Sequence, residues 1–596
     1  MTRGESLRRP RRMLALLLTL AALGQSQIPP ARSTPASSEV DPALPVWTFD
    51  ATRINPERNL RLYQISRRVA DQLFDPKANL LFGSYTDPGE VKPGSPVIPN
   101  NARHMIRESA YYAYGLLLTS NPADHARAEE ILKRILAAQD VRPDSPYRGD
   151  FTVFAEDRWE KLEKPDLNWA VFVGVVLGEV VALDNQRHVL APDLRSQVES
   201  GLRLAVEAVM HRNVEPGYTN IAILSAALGS AGAKLLGMPE AGVFAQTKLD
   251  AVVGLTKGGL FCEYLSPTYT GVDLYAAYMA QKLSFAPAFS ASANALLDQA
   301  WEETATSFHA PTLQLSGPNS RSYGDDMRAY AACVKYFIYL ARPDSYPIAE
   351  TETQHAWNLI GNIEVADLPV TPRAEFAEPV PAWRELSAVN PGKPRRRLFQ
   401  YRKDGFILGT IAVQDEWIQR RNLVAYWRNQ GEGLDGFRLG LCLDKSNETV
   451  PAGFSPKEVT FYSKQDRGKA LVAMVAPEHL PSAGGCRVVF SSSATAAEAA
   501  GSVLVRDGII TTYLYPISNQ GAHFQVMPGA DFLRLERPWT EADIIGAQHI
   551  LAYLVIFRPA NEPAPTISHV SLKPEGTGAS VTAEIDSTRF TLVFGN

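Results

Sequence analysis

The chain has 596 residues, of which 45% are hydrophobic and 21% are charged, a composition typical of a folded globular protein. This length favours two large domains over one. The formal net charge of −5 excludes a general nucleic-acid-binding protein, because such proteins need a basic surface to neutralise phosphates.

The N-terminus has the pattern of an export signal. Five arginines lie within Met1–Arg12, and the apolar run Met13–Gly24 follows them. Cleavage near Gly24 defines residues 1–24 as a signal peptide and predicts a secreted or periplasmic protein. A membrane anchor is the alternative, but this apolar run is shorter than the ~20 residues that a spanning helix needs. We therefore expect no stable membrane insertion after the signal is removed.

Composition and periodicity divide the rest of the chain into four parts. Residues 25–46, rich in Pro, Ser and Ala, indicate a flexible leader. Residues 47–368 carry apolar side chains at helical spacing, which predicts helical hairpins packed into a bundle or ring. A Pro-rich linker is predicted over 369–398. The β-branched and aromatic runs in 399–596, with a hairpin at Asp507–Gly508, predict an antiparallel β-sandwich of a dozen or more strands.

The four cysteines are Cys262, Cys333, Cys442 and Cys486. In an oxidising compartment they allow three disulfide pairings, of which Cys442 with Cys486 would lie within one domain. Buried free thiols are the alternative. The sequence has no conventional metal-binding motif, so we predict neither a metal nor another cofactor.

Four segments of the helical half combine polar side chains with turn residues at helix starts. They surround Asn168, Asn220, Tyr269 and Arg321. Each has a structural alternative. Asn168 is a candidate N-cap, as are Thr219 and Asn220. Arg321 is close in sequence to Asp325 and Asp326, and a salt bridge at a helix start would explain it.

Asn, Tyr and Arg at helix starts together suit β-elimination on a uronic acid. This reaction needs hydrogen bonds that neutralise the substrate's carboxylate, which we expect from Asn220 and Asn168. It also needs a base for the proton on the adjacent carbon and an acid for the departing oxygen. A tyrosine near an arginine can serve as both, because the positive charge lowers the phenol pKa. We expect Tyr269 to move the proton and Arg321 to tune it or to bind the acid.

The same segments resemble motifs of the polysaccharide lyases with an (α/α) toroid, namely the chondroitin AC, hyaluronate and xanthan lyases and the heparinase II/III-like group. Asn168–Trp169 is similar to an Asn-Trp motif there, and Tyr218–Asn220 to the segment with the carboxylate-binding Asn. Tyr269–Gly271 is similar to the Tyr-Thr-Gly segment near the catalytic Tyr, and Ser320–Arg321 to an Arg-bearing turn. Trp169 and Tyr323, in or beside these motifs, are expected to contact the substrate.

The resemblance covers roughly residues 50–596. It implies an N-terminal (α/α) toroid of helical hairpins followed by an antiparallel β-sandwich. It also implies an acidic polysaccharide or oligosaccharide as the substrate.

This chain departs from that group before the Tyr-Thr-Gly segment. The group carries a histidine where this sequence has Glu263–Tyr264, so either these two residues take over its catalytic role or the elimination chemistry is lost. Because the group's catalytic tyrosine follows Tyr-Thr-Gly by a few residues, Tyr264 and Tyr275 remain alternatives to Tyr269 as the base. Two histidines are candidate substitutes for the missing one, His211 and His309.

A further polar segment, Asp415–Asn422, precedes a strand of the predicted sandwich. Trp417 is expected to stack on a sugar ring, and Arg420 or Arg421 to hold a carboxylate. A structural arginine cluster, paired to Asp415 and Glu416, is the alternative.

Two other functions compete with the lyase. An (α/α)-toroid glycoside hydrolase would use a pair of carboxyl groups, for which the candidates are Glu263, Asp273, Asp325 and Asp326. A non-catalytic carbohydrate-binding protein would hold an oligosaccharide without cleaving it. Product analysis separates these possibilities, because only a lyase leaves an unsaturated uronate with a new ultraviolet absorbance.

Overall fold

The computed structural model describes residues 43–83, 103–324, 326–327, 334–342, 346, 348, 361–428, 434–443, 458–477, 484–491, 494–499, 502–519, 523–528, 532–538, 540–545, 548–576 and 578–594. The predicted signal peptide and most of the predicted leader lie outside these residues, as do Cys333 and Asp325.

The N-terminal part of the described chain is helical. Its α-helices are α1 (Pro56–Leu73), α2 (Ile106–Leu117), α3 (Pro122–Leu136), α4 (Trp169–Arg187), α5 (Pro192–Arg212), α6 (Thr219–Leu236), α7 (Pro239–Thr256), α8 (Tyr269–Lys282), α9 (Pro287–Ser307), α10 (Val334–Ala341) and α11 (Asn362–Ala366). A small sheet of β1 (Phe74–Asp75), β2 (Leu80–Gly83) and β3 (Arg103–Met105) joins α1 to α2. A hairpin of β4 (Phe308–His309) and β5 (Gln314–Leu315) follows α9.

Consecutive helices pack in pairs, and the pairs form a toroid. Helices α2, α4, α6 and α8 pack in sequence along the inner side, while α3, α5, α7 and α9 cover them from outside. Helices α10 and α11 pack against α8, α1 and α2 and close the ring. The inner helices α4 and α6 are apolar on all faces because neighbours surround them. Both have the length and composition of a membrane span, yet 78% of each apolar window is buried inside the protein.

The C-terminal part forms two large antiparallel sheets and a small third one. One eight-stranded sheet has the order β18-β19-β14-β11-β10-β8-β7-β6, and the other runs β15-β16-β17-β21-β13-β12-β9 with β20 beside β21. The third sheet is β22-β23-β24. The strands are β6 (Trp383–Ala388), β7 (Arg396–Lys403), β8 (Phe406–Ile411), β9 (Val413–Gln414), β10 (Leu423–Arg428), β11 (Leu434–Leu443), β12 (Thr460–Asp466), β13 (Lys469–Pro477), β14 (Gly484–Ser491), β15 (Thr495–Ala499), β16 (Ser502–Asp507), β17 (Ile510–Pro516), β18 (Gln525–Pro528), β19 (Phe532–Pro538), β20 (Ile544–Ile545), β21 (Gln548–Pro559), β22 (Ile567–Glu575), β23 (Gly578–Ile585) and β24 (Thr588–Phe594).

The three sheets stack as layers with apolar side chains between them. Leu408 and Val488 from the first sheet meet Tyr553 from the second in one core. Leu554, also on β21, faces the other way and packs on Val581 of the third sheet. Alternate side chains of a strand point to opposite faces, so β21 is buried on both sides and reads as a continuous apolar run.

The predicted fold class is confirmed: a helical toroid precedes an antiparallel β-sandwich. The hairpin at Asp507–Gly508 joins β16 to β17, with Gly508 at a φ of +58°. The strand bounds correct one detail, because β6 and the start of β7 lie within the predicted linker 369–398. The prolines there flank β6 instead of interrupting it, so they leave its ladder intact.

The toroid and the sandwich are joined directly by backbone hydrogen bonds. Asn319, after the β4–β5 hairpin, exchanges N–H···O bonds of 3.0 and 2.8 Å with Arg421. The Leu260 N–H donates to the Ser387 carbonyl of β6 at 2.7 Å. These bonds fix the segments that carry the candidate site, on both sides of the junction.

Candidate functional site at the junction

Three of the four predicted polar segments from the toroid, and one from the sandwich, meet where the two domains join. We call the following residues the junction cluster: Asn168, Tyr218, Asn220, Glu263, Tyr269, Arg321, Tyr323, Trp417 and Gln419. The fourth toroid segment reaches the cluster through Asn168, which lies just before α4.

Glu263 is the centre of the cluster. Its Oε2 accepts hydrogen bonds from the backbone N–H of Asn220 at 3.2 Å and from the Asn220 Nδ2 at 2.6 Å. Its Oε1 accepts from the Arg321 Nη1 at 2.7 Å, forming an ion pair. Glu263 and Asn220 are both fully buried at 0% exposure. Glu263 therefore organises Asn220 and Arg321 from inside the protein.

This arrangement corrects two expectations. Asn220 lies in the first turn of α6 and neither caps that helix nor faces a substrate, because Glu263 already occupies its amide. Arg321 pairs with Glu263 and makes no helix-start salt bridge with Asp326, whose Oδ1 instead accepts from the Gln314 amide at 2.8 Å. Asp325, its other predicted partner, lies outside the described residues.

Arg321 also lies against three aromatic rings. Its guanidinium carbon is 4.0 Å from the ring centroid of Tyr269, 4.8 Å from that of Trp417 and 5.9 Å from that of Tyr218. Contacts of this kind are favourable because the faces of aromatic rings carry negative potential. The buried cation thus holds together aromatic side chains from both domains.

Tyr269 and Tyr323 form a hydrogen-bonded pair of phenols, with 2.7 Å between their oxygens. The Tyr323 oxygen also accepts from the Arg321 Nη2 at 3.3 Å and from the Gln419 Nε2 at 3.4 Å. Both tyrosines are partly buried, and a substrate can reach the cluster beside them. Three polar groups therefore converge on one phenol oxygen.

Burial raises the pKa of Tyr269 well above its ordinary value, and the charge of Arg321 opposes this without cancelling it. Burial also raises the pKa of Tyr323, while Arg321 and the hydrogen bond from Tyr269 lower it. The expected net decrease in the pKa of Tyr269 is therefore wrong, because desolvation outweighs the nearby charge. Tyr323 has more groups that stabilise its phenolate than Tyr269 has.

Trp417 lies in the cluster with an unusual backbone conformation. Its φ is +61°, a region that bulky side chains rarely adopt and that is enriched at functional sites. Its ring centroid is 6.1 Å from that of Tyr218, and its buried indole N–H has no hydrogen-bond partner. Tyr218 and Trp417 thus present neighbouring aromatic surfaces from the two domains.

Asn168 does not cap α4 with its side chain, contrary to the simple structural alternative. Its Nδ2 donates to the Tyr218 oxygen at 3.3 Å, and its Oδ1 accepts from the Arg212 Nη1 at 2.9 Å. The start of α4 is instead held by Asp150, whose Oδ1 accepts from the Ala170 N–H at 2.6 Å. This leaves the side chain of Asn168 to orient Tyr218.

Two tyrosines considered as the base lie away from the cluster. The hydroxyl of Tyr264 accepts from the Gln414 Nε2 at 2.5 Å inside the core of the sandwich. Tyr275 donates to Glu364 in the core of the toroid. Tyr264 is 2% exposed and Tyr275 is 7% exposed, so neither can meet a substrate in this structure.

Three further predicted substrate-binding residues are structural. Trp169 is 2% exposed and packs in the toroid core beneath the guanidinium of Arg107. Arg420 turns into the sandwich and donates to the backbone carbonyl of Val459, while Arg421 donates to the carbonyl of Gln419 at 3.2 Å. The ion pairs with Asp415 and Glu416 that we expected for these arginines are made by Arg396 instead.

The candidate substitutes for the missing histidine do not reach the cluster. His309 is buried between the Thr312 hydroxyl and the Lys403 carbonyl, and burial lowers its pKa to about 4. His211 is exposed in the last turn of α5. Within the described residues, no group of three or more His, Cys, Asp or Glu side chains could hold a metal ion. Cys262 and Cys486 are buried thiols, so the pairing of Cys442 with Cys486 is not formed.

Sequence reasoning missed three residues of this region. Tyr218 and Gln419 lie inside segments that it singled out, but nothing in the pattern distinguished them from their neighbours. Arg212 is at the end of an ordinary amphipathic helix and gave no signal. Each becomes visible only when the toroid and the sandwich are brought together.

The family model described as Domain of unknown function (DUF8769) matches residues 61–363, which is about half of the chain and most of the toroid. The chain belongs to this family. A comparison with curated proteins finds no match for this DUF8769 member.

Solved structures align with most of this DUF8769 protein at low identity. The Streptomyces coelicolor A3 chondroitin AC lyase, in complex with chondroitin sulphate, has a TM-score of 0.43 and 11% identity, with 90% of each chain covered. Heparinase III has a TM-score of 0.43 and 10% identity, with 95% of this chain and 94% of that one covered. The heparan sulfate lyase HepC mutant from Pedobacter heparinus has a TM-score of 0.32 and 10% identity, with 89% of each chain covered. The lyase group that the sequence motifs resemble is thus also the one found by structural comparison.

Proposed function

We propose that this protein is an exported carbon–oxygen lyase that cleaves a uronate-containing polysaccharide by β-elimination at the junction cluster. The observation that carries the proposal is the convergence of Tyr269, Arg321 and Gln419 on the phenol oxygen of Tyr323. Donors fixed around an oxygen before the reaction stabilise the negative charge that develops there. Such an environment suits a phenol that must lose and regain a proton.

In the proposed mechanism, the phenolate of Tyr323 removes the proton from the carbon next to the uronate carboxylate. The C–H electron pair forms the new carbon–carbon double bond, and the bond to the glycosidic oxygen breaks. The Tyr269 phenol protonates that departing oxygen. A proton then passes from Tyr323 to Tyr269 across their 2.7 Å hydrogen bond, which restores the starting state. No water is consumed.

The chosen proton carrier therefore becomes a pair instead of Tyr269 alone. Arg321 stabilises the phenolate, and Glu263 keeps Arg321 in place through their buried ion pair. Trp417 and Tyr218 offer aromatic faces on which a sugar ring can stack. Each of these roles belongs to the proposal.

The hydrolase alternative receives less support from the same geometry. Glu263 is fully buried and Asp273 is 1% exposed, so neither carboxyl can reach a glycosidic oxygen in this structure. The burial of Asp273, reinforced by the charge of Glu263, raises its pKa well above the ordinary range, so it is protonated at neutral pH. A protonated carboxyl beneath the cluster contributes no negative charge that would repel an acidic sugar.

The test is a screen of acidic polysaccharides for new ultraviolet absorbance, using the mature protein and two variants. Tyr323→Phe and Tyr269→Phe each keep the ring and remove one phenol oxygen, so we expect turnover to fall at least about 100-fold in each. Tyr515→Phe, in a strand of the sandwich away from the junction, is the matched control and should retain full activity. Full activity in both junction variants would refute the tyrosine mechanism. Binding of an acidic polysaccharide without any cleavage would support the non-catalytic alternative.

A further inference from the structure

The junction cluster contains one obvious cation, and that cation is already neutralised. Arg321 is 6% exposed and forms an ion pair with Glu263 at 2.7 Å. A substrate carboxylate that displaced Glu263 would leave a buried carboxylate without a partner, which typically costs several kcal/mol. Recognition of an anionic sugar therefore requires a different positive group.

Arg212, the last residue of α5, is such a group. Its Nη1 donates to the Leu167 carbonyl at 2.6 Å and to the Asn168 Oδ1 at 2.9 Å, and both acceptors are uncharged. Within the described part of the chain, no carboxylate forms an ion pair with Arg212. The acidic side chain that faces this region is Asp166, which accepts a hydrogen bond from the Asn168 backbone N–H at 3.0 Å.

The guanidinium of Arg212 has room for a ligand. An arginine carries five N–H groups, and the two hydrogen bonds of Arg212 both use Nη1. Its Nε and Nη2 make no hydrogen bond to the described residues, and the side chain is half-buried, not covered. The two bonds to the start of α4 fix its position, so little side-chain entropy is lost when an anion binds.

Arg212 is connected to the proposed reaction centre through the cluster. Asn168 bridges Arg212 and the Tyr218 hydroxyl. The Tyr218 ring lies near Trp417 and near Arg321, which in turn donates to Tyr323. An aromatic surface for a sugar ring thus has an unpaired guanidinium on one side and the phenol pair on the other.

We propose that Arg212 forms an anion-binding subsite that holds the carboxylate of a uronate residue of the substrate, through its free Nε–H and Nη2–H groups. This inference rests on the proposed function, because it names the group that recognises the acidic sugar. Asn168 is the positioning residue of the subsite, since it contacts both Arg212 and Tyr218.

The test compares binding of acidic and neutral forms of the same sugar. The probes are oligosaccharides of galacturonate, of mannuronate and of hyaluronan, each with its carboxyl methyl ester, titrated calorimetrically into the mature protein. Arg212→Gln should weaken binding of the acidic probe about 10- to 100-fold, as expected for loss of a charge-assisted hydrogen bond, and leave the ester unaffected. Arg212→Lys should fall between the two, because lysine keeps the charge but loses the planar fork.

Arg203→Gln is the matched control, because Arg203 is exposed on the same helix and donates only to the carbonyl of Leu236. It should bind both probes like the unchanged protein. Equal weakening of acid and ester by Arg212→Gln would indicate a structural effect through Asn168 and would overturn the subsite. So would unchanged affinity for the acid, or failure of the unchanged protein to bind any acidic probe.

The two proposals fail in different ways. If acidic probes bind in an Arg212-dependent manner but no unsaturated product forms, the subsite stands and the lyase activity is refuted. If product forms and Arg212→Gln changes neither the affinity nor KM, the lyase stands and the subsite is refuted.

Discussion

Asn220 and Glu263 are joined by two hydrogen bonds to one oxygen: the Asn220 backbone N–H and its Nδ2 both donate to the Glu263 Oε2, at 3.2 and 2.6 Å. This leaves Oε1 for Arg321. One carboxylate therefore ties the start of α6 to the turn after the β4–β5 hairpin. The asparagine that resembles a substrate-binding residue is here held by an internal carboxylate.

Glu263→Gln should destabilise the protein and reduce turnover. An amide has only one acceptor oxygen, so its NH₂ must face either the Arg321 guanidinium or the donors of Asn220, and no solvent can relieve the clash. Breaking a buried ion pair in this way costs about 3–5 kcal/mol. Denaturant unfolding measures the free-energy change, and the product assay measures turnover. Glu199→Gln, a change in an exposed ion pair with Arg195, is the control and should shift stability by less than about 1 kcal/mol.

The elimination rate should increase with pH. Burial raises the pKa of both Tyr269 and Tyr323, so the phenolate is a minor species at neutral pH. Below the pKa its fraction increases tenfold per pH unit, so log kcat/KM should rise with a slope approaching one from neutral to alkaline pH. A plot of log kcat/KM against pH measures this slope. A flat or falling profile over that range would contradict a tyrosinate base.

The sequence predicted the order of the domains well and the details of the site less well. Helical periodicity and the later alternation of β-branched residues are local properties, and they correctly separated the toroid from the sandwich. The four polar segments were also found locally, because helix starts carry recognisable turn residues. Which side chains in these segments face one another depends on packing between domains, which no local pattern encodes.

Tyr264 and Arg420 illustrate this limit. Both lie within segments that meet at the junction, yet Tyr264 turns into the sandwich core to bind Gln414, and Arg420 binds the Val459 carbonyl. Their residue types suggested chemistry, while the strand and loop directions that bury them are set by the docking of the two domains. Arg212 is the opposite case, since its sequence context is unremarkable and only its missing counter-charge draws attention.

Asp150 should make stability decrease between about pH 4 and pH 7. Burial raises its pKa from 3.8 to about 7, against the two backbone hydrogen bonds that lower it. The folded protein therefore binds more protons than the unfolded chain in this window, so the free energy of unfolding falls as pH rises and stays lower above pH 7. This is the reverse of the usual behaviour of a carboxylate in an ion pair.

Asp150→Asn isolates this effect. The amide oxygen can still accept from the N–H groups of Phe151 and Ala170, which both bond to Oδ1 in the structure. The variant should therefore match the unchanged protein near pH 4 and exceed its stability by a few kcal/mol near pH 8. Because Glu303 also has a raised pKa of about 7, the difference between the two proteins is the relevant quantity. Asp250→Asn, at an exposed position, is the control, and an equal pH dependence in Asp150→Asn would contradict the assignment.

Gly409 of β8 allows the toroid to approach the sandwich at the junction. A Cβ at this position would lie 2.0 Å from the backbone carbon and oxygen of Gly317, and no side-chain rotation can relieve a clash with backbone. The same loop is held by Gln400, whose Nε2 donates to the Ser316 and Gly317 carbonyls at 2.9 and 3.1 Å. Any shift of this loop moves Arg321 and Tyr323, which follow it directly in the chain.

Gly409→Ala should therefore reduce turnover more than its effect on either domain alone would explain. We expect a loss of stability of at least about 1–3 kcal/mol from overpacking, together with a large loss of activity at temperatures where the protein remains folded. Gly254→Ala in α7 is the matched control. Its Cβ meets nothing within 4 Å, so it should leave activity unchanged and stabilise the helix by about 0.5–1 kcal/mol. Circular dichroism establishes folding, and the product assay measures turnover. If Gly409→Ala keeps full activity, the proposed chemistry does not depend on close contact between the two domains.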